Sequence, residues 1–339
     1  MAAQKAMMQS TKAVFQGGLL LNWLILALLG TVFFSIAGVL DKLLLSGYAE
    51  DSKAYIVCQV LASQIFTIPV LLIAGADFVY PQSVIAMLFG SLQVFPSFYY
   101  TKALQTEEVS KVSALEYIYL VFVFIGSVLL LGEVLELKHC AGGLLLLLGT
   151  VLISYKKSES GCNGLYSDPL HNNGLLSKPS NAISPAIKPF LSYWVLTAAY
   201  FIALKVLLVS IDEWNLYIWT SLGGLMAVLP MLLVGSVRSE VTGFFKQGGM
   251  AVGALISEET FQFLGIIFFI FAYAIGSVTL VSSVGALQPI LTVLLILGLG
   301  IITPKLAKSL NESTDWNSLM QKGISFLAVA LGIYFVSGG

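Results

Sequence analysis

The sequence predicts an all-α polytopic membrane protein: ten transmembrane helices arranged as two inverted five-helix repeats. Composition points to the class. The chain is 58% hydrophobic and 10% charged, with a mean hydropathy of +0.91, whereas soluble proteins run about 25% charged. Segmentation points to the number, because stretches of roughly 20 mainly apolar residues, long enough to span hydrocarbon, recur ten times. Self-similarity points to the repeat. Gln93, Ala103, Val109, Val112 and Ser113 return 169 residues later as Gln262, Ala272, Val278, Val281 and Ser282.

Along the chain, a tail (1–19) has two lysines and no apolar core of signal-peptide type before the first span. That span is expected to be retained. The first repeat (20–155) holds spans at 20–45, 54–75, 83–104, 109–132 and 138–155. A linker (156–189), rich in Ser, Asn, Gly and Pro, reads as flexible. The second repeat (190–339) holds spans at 190–210, 215–235, 249–275, 278–302 and 322–337. Spans one and six close on Lys42-Leu-Leu-Leu and Lys205-Val-Leu-Leu. Spans two and seven share Pro69-Val-Leu-Leu and Pro230-Met-Leu-Leu. Spans five and ten share Gly149 with Gly332 and Ser154 with Ser337. An odd number of spans per copy inverts the second copy in the bilayer. Such repeats mark many secondary transporters, with the substrate site near the midplane between the halves.

Ten spans place both termini on one side. That side carries Lys5, Lys12 and Lys138, whereas the other carries Lys53, Lys102, Lys111 and nine further basic residues. The positive-inside rule then puts the linker in the cytoplasm and the termini outside. A net charge of −1 with a single arginine, Arg238, offers no basic surface for nucleic acid. Three cysteines give no disulfide framework. The expected partners are a small-molecule substrate and the lipid bilayer, and the expected location is the cytoplasmic (plasma) membrane. Nothing in the sequence sets an oligomeric state.

Polar groups inside hydrocarbon are costly, so each is a candidate for function. Gln93 lies ten residues into its span and Gln262 about thirteen, a depth near the midplane at 1.5 Å per residue. Two carboxamides could hold a substrate through donor and acceptor bonds, or join helices. Glu116, Glu258 and Glu259 are the ionisable candidates for ion coupling or gating. Glu258 and Glu259 diverge by about 100° on their helix and are not expected to face one cavity together. Lys42 ends span one on the side where these acids enter. It is read as a gate or proton-site partner, or as a snorkelling side chain with a structural ion pair. Lys205, near Asp212 and Glu213, reads as snorkelling. Tyr99 and Tyr117 belong to an aromatic cluster that either lines a cavity or packs. Gln288, beside Pro289, makes a polar point in span nine.

No GxxxxGK[ST] loop, HExxH motif or Ser/His/Asp set is present. The sequence therefore predicts no enzyme, no cofactor and no metal.

The segments YYTKALQTEEVSKVSALEYIYLVFVFIGSVLLLGE (99–133), FAYAIGSVTLVSSVGALQPILTVLL (271–295) and LDKLLLS (40–46) resemble EamA-type members of the drug/metabolite transporter superfamily. The resemblance implies a ten-helix bundle of two inverted repeats. Spans one to four and six to nine would surround a cavity, with five and ten outside. It implies alternating access, usually export or exchange of metabolites, amino acids or drugs, with cytoplasmic termini. The lysine distribution argues for the opposite orientation. Leu120 stands where the family usually has the proline that Pro289 keeps, which removes the proline-based reason for matching kinks in spans four and nine. Ile301-Ile302 stands where a second Gly-Glu would match Gly132-Glu133. The expected function is secondary active transport of a small organic solute, with proton coupling as a hypothesis. The alternatives are a nucleotide-sugar-type exchanger, or a membrane sensor or lipid-handling protein on the same fold.

Overall fold

The structure is a computed structural model that describes residues 23–49, 51–106, 109–133, 136–154, 187–303, 310 and 316–337. The tail (1–19) and nearly all of the linker (156–189) lie outside the described residues. Among the described residues every regular element is helical. The helices are α1 (Trp23–Gly47), α2 (Ser52–Ala74), α3 (Gln82–Thr106), α4 (Val109–Glu116), α5 (Tyr119–Leu131), α6 (Leu137–Ser154) and α7 (Ile187–Leu207). They continue with α8 (Glu213–Val228), α9 (Gly235–Lys246), α10 (Gly249–Ile275), α11 (Val278–Gly285), α12 (Gln288–Ile302) and α13 (Trp316–Ser337).

Seven helical stretches among the described residues are long and apolar enough to cross a membrane, and Tyr119–Leu131 and Gly323–Gly332 are shorter apolar helices. Outward-facing residues are apolar too: Ile301 is 85% exposed and Leu129 75%. Water would penalise such a surface, and hydrocarbon accepts it. The protein is an integral membrane protein.

Local chemistry starts the helices where they start. The first N–H groups of a helix lack intrahelical acceptors. Asp51 accepts from Lys53 N at 2.8 Å ahead of α2. Asp212 accepts from Trp214 N and Asn215 N at 3.1 Å ahead of α8. Ser277 accepts from Leu280 N at 3.1 Å ahead of α11.

The expected span four is broken at Tyr117-Ile118, between α4 and α5, and span nine at Ala286-Leu287, between α11 and α12. Pro289 opens α12 and cannot donate a backbone hydrogen bond, which accounts for the second break. The first break needs no proline, contrary to the expectation drawn from Leu120. Tight turns carry the chain through it, with Leu120 N on Tyr117 O and Val121 N on Ile118 O at 3.1 Å. The indole of Trp194 donates to Leu115 O at 2.8 Å, occupying a carbonyl at the end of α4. The breaks therefore fall 169 residues apart, one held by proline and one by tertiary contacts.

Two boundaries also differ from the sequence expectation. The span expected at 215–235 stops as an α-helix at Val228 and continues as a 3₁₀ turn, Leu229–Leu233, around Pro230. The following α9 falls between two of the expected spans. It is amphipathic and buries Val237, Val241 and Phe244, a helical i, i+4, i+7 stripe, in a cluster with Tyr55 and Ile56 of α2. A helix polar on one face does not register in a scan for apolar spans.

Close packing sets the interior. A Cβ on Gly90 of α3 would collide with the Thr220 backbone of α8, and one on Gly223 of α8 with the Met87 backbone of α3. Ser91 Oγ donates to Gly223 O across this seam at 2.7 Å. Helices α6 and α13 pair with each other, Gly149 lying against Ser325 and Val329 and Gln321 Nε2 donating to Leu152 O.

Candidate functional site

Two chambers adjoin in the middle of the bundle. The larger, about 220 Å³, is bounded by α1, α3, α7, α10 and the two helix breaks. Its lining includes Asp41, Tyr100, Glu116, Tyr193, Tyr273 and Gln288. The smaller, about 190 Å³, lies between α2, α3, α8 and α10 and includes Gln59, Ser63, Ser221 and Glu259. Gln93, Ser97, Tyr200, Gln262 and Ile266 line both. Gln93 from α3 and Gln262 from α10 thus stand where the chambers meet. Gln93 Oε1 is buried and has no hydrogen-bond partner among the described residues.

The helix breaks bring side chains to the larger chamber that an unbroken helix would direct elsewhere. Tyr117 at the first break donates to Gln288 Oε1 at the second, at 2.7 Å. Ser35 Oγ also reaches Gln288 O at 3.4 Å. Glu116 Oε1 accepts from the Tyr193 hydroxyl at 2.6 Å. Tyr119 stacks on Phe201 with ring centroids 5.2 Å apart.

Beside the chambers three carboxyl groups gather from two helices. Asp41 of α1 accepts from Tyr55 OH at 2.6 Å and from Gln59 Nε2 at 2.9 Å. Glu258 and Glu259 of α10 lie within electrostatic reach of Asp41. Glu258 is wholly buried, and neither of its carboxylate oxygens has a hydrogen-bond partner among the described residues. An isolated carboxylate in such surroundings is costly, so the group demands a proton or a cation. Among the described residues no group of His, Cys, Asp and Glu has a metal-holding arrangement.

The sequence candidates are distributed as follows. Gln93, Gln262, Tyr117, Gln288 and Glu116 line the larger chamber, and Glu259 the smaller. Glu258 lines neither chamber and neighbours Asp41, consistent with its angular offset from Glu259. Tyr99 lines neither chamber and packs against the hydrophobic cluster around Tyr117 and Leu120; its neighbour Tyr100 is the lining residue. Lys42 is 5% exposed, turned inward rather than snorkelling, and its ammonium donates to Leu104 O at 2.5 Å. Lys205 does not snorkel outward. It donates to Tyr273 O and Gly276 O at 2.7 Å, where carbonyls at the C-terminal end of α10 lack intrahelical donors.

Sequence reasoning missed Asp41, Gln59, Tyr193, Tyr200 and Tyr273. Asp41 had a legible signal, an aspartate inside an apolar span beside Lys42. The tyrosines had none, since aromatic residues in spans pack as often as they line cavities.

Residues 21–155 match the family described as "EamA-like transporter family". This segment is similar to members of that family. EamA-like proteins are membrane transporters and not enzymes. The fold of the whole chain also has a counterpart. A solved structure described only as "Crystal structure of protein" superposes with a TM-score of 0.54 at 17% identity, covering 91% of this chain and 98% of its own. That likeness concerns fold alone. Among curated proteins, none matches the chain.

Proposed function

We propose that the chain is a secondary active transporter of a small organic solute, built as ten helices in two inverted five-helix repeats and working by alternating access at the plasma membrane. The observation that carries this reading is the meeting of two interior chambers at Gln93 and Gln262, residues related by the 169-residue offset. The paired breaks at the same offset support it, since discontinuous helices are where transporters build substrate sites.

An asymmetry supports alternating access. Gly90 lets α3 close onto α8. Its counterpart at the 169-residue offset is Glu259, which lines the smaller chamber where α10 faces α2. The α3–α8 seam is thus closed by backbone contact at Gly90, while a glutamate side chain stands at the related position on α10. Exchanging which seam is sealed would move access from one membrane face to the other.

The buried group of Asp41, Glu258 and Glu259 is the element we assign to proton coupling, with Glu116 at the substrate and Lys42 at the helix end as a gating residue. Lining residues of both chambers include carboxylates but no lysine, arginine or histidine among the described residues, which disfavours an anionic nucleotide sugar. The test is solute flux into vesicles containing the purified protein. Uptake that disappears in Gln93→Ala and Gln262→Ala supports the reading. A protein that binds solute without moving it is a sensor instead.

A further inference from the structure

We infer that the larger chamber selects a single-ring organic amine in its cationic form. This inference rests on the transport reading for its biological sense, but the site is argued from the chamber itself. Three features converge. Asp41 and Glu116 bring two carboxyl groups to a lining that has no basic side chain among its described residues. Six tyrosines, Tyr100, Tyr117, Tyr119, Tyr193, Tyr200 and Tyr273, surround the same space with Phe34, Phe201 and Phe269. Gln93 Oε1 adds a buried acceptor with no hydrogen-bond donor among the described residues.

Each feature suits one part of an arylalkyl ammonium ion. Ring faces attract a cation, more strongly where water is excluded. The same rings stack on an aromatic body. The ammonium has three N–H donors and no acceptor, matching the acceptor oxygens of Asp41, Glu116 and Gln93 in the lining. An anion would meet two carboxyl groups with no compensating charge. Size narrows the class. About 220 Å³ falls below the ~300–1,000 Å³ of drug-sized pockets, a volume that suits a one-ring amine.

The experiment uses the full-length protein in detergent and one skeleton at four charge states: 2-phenylethylamine, 2-phenylethanol, 3-phenylpropionate and L-phenylalanine. Binding is measured by calorimetry and by ligand-dependent thermal stability, which a ligand of the folded state raises. The expected result is tightest binding of the amine, weakened about tenfold by loss of one charged contact in Glu116→Gln. Glu240→Gln, on the surface helix α9, leaves binding unchanged. Where Glu116→Gln fails to fold, Tyr200→Leu serves the same purpose by removing one ring face. Equal or tighter binding of the alcohol, the acid or the zwitterion overturns the inference, as does no binding of the amine. Flux in vesicles separates the two readings. Amine binding without flux removes the transporter and keeps the cation site. Flux of another solute with no amine binding keeps the transporter and removes the cation site.

Discussion

The Tyr117 hydroxyl donates to Gln288 Oε1 at 2.7 Å, tying the break in one half of the chain to the break in the other. The two residues are 171 apart in sequence, and each stands where its helix is interrupted. Both are buried. Tyr117→Phe keeps the ring and strands the carboxamide oxygen. An unsatisfied buried acceptor costs about 1–3 kcal/mol. We expect a lower unfolding temperature in detergent for Tyr117→Phe. An unchanged transition would show that Gln288 finds another donor.

Packing of α3 on α8 depends on the absence of two side chains. A single methyl in Gly223→Ala meets the Met87 backbone rather than a flexible side chain, so a helix must shift. Overpacking of this kind costs about 1–3 kcal/mol. Gly243→Ala on α9 meets nothing within 4 Å and replaces the poorer helix former. The expected outcome is reduced thermal stability for Gly223→Ala and none lost for Gly243→Ala. Equal behaviour would contradict the close approach.

Lys205 holds the end of α10 through the Tyr273 and Gly276 carbonyls. Lys205→Met keeps the chain length and removes the charged donor, and hydrogen bonds to charged groups contribute about 1.5–3 kcal/mol each. Amide hydrogen exchange should rise in the last turn of α10 while its middle stays protected. Uniform exchange across the helix would mean that the ammonium does not anchor that end.

The Asp41, Glu258 and Glu259 group is open to a functional test that does not require the substrate's transport direction. Glu258→Gln removes an ionisable group whose oxygens have no hydrogen-bond partner among the described residues. Under the proton-coupling proposal, it abolishes uptake driven by an imposed pH gradient and retains exchange of labelled for unlabelled solute. Gradient-driven uptake at the wild-type rate in Glu258→Gln, Glu259→Gln and Asp41→Asn would remove proton coupling from this protein.

The sequence by itself determined that the chain is helical and membrane-embedded, because hydrocarbon demands long apolar segments and leaves polar residues conspicuous. Gln93, Gln262 and Glu116 stood out for that reason, and the structure sets all three at the central chambers. The 169-residue offset was read from the same cause, since polar residues stand out inside apolar spans. Tertiary structure alone decided the rest. No proline marks the break at Tyr117-Ile118; Trp194 and Gln288 hold groups there from other helices. Lys42 and Lys205 looked like surface-seeking side chains, but both found backbone carbonyls inside. Asp41 became the neighbour of Glu258 and Glu259 only when α1 packed on α10. Depth along a helix follows from counting residues, whereas the direction a side chain faces depends on which helix lies beside it.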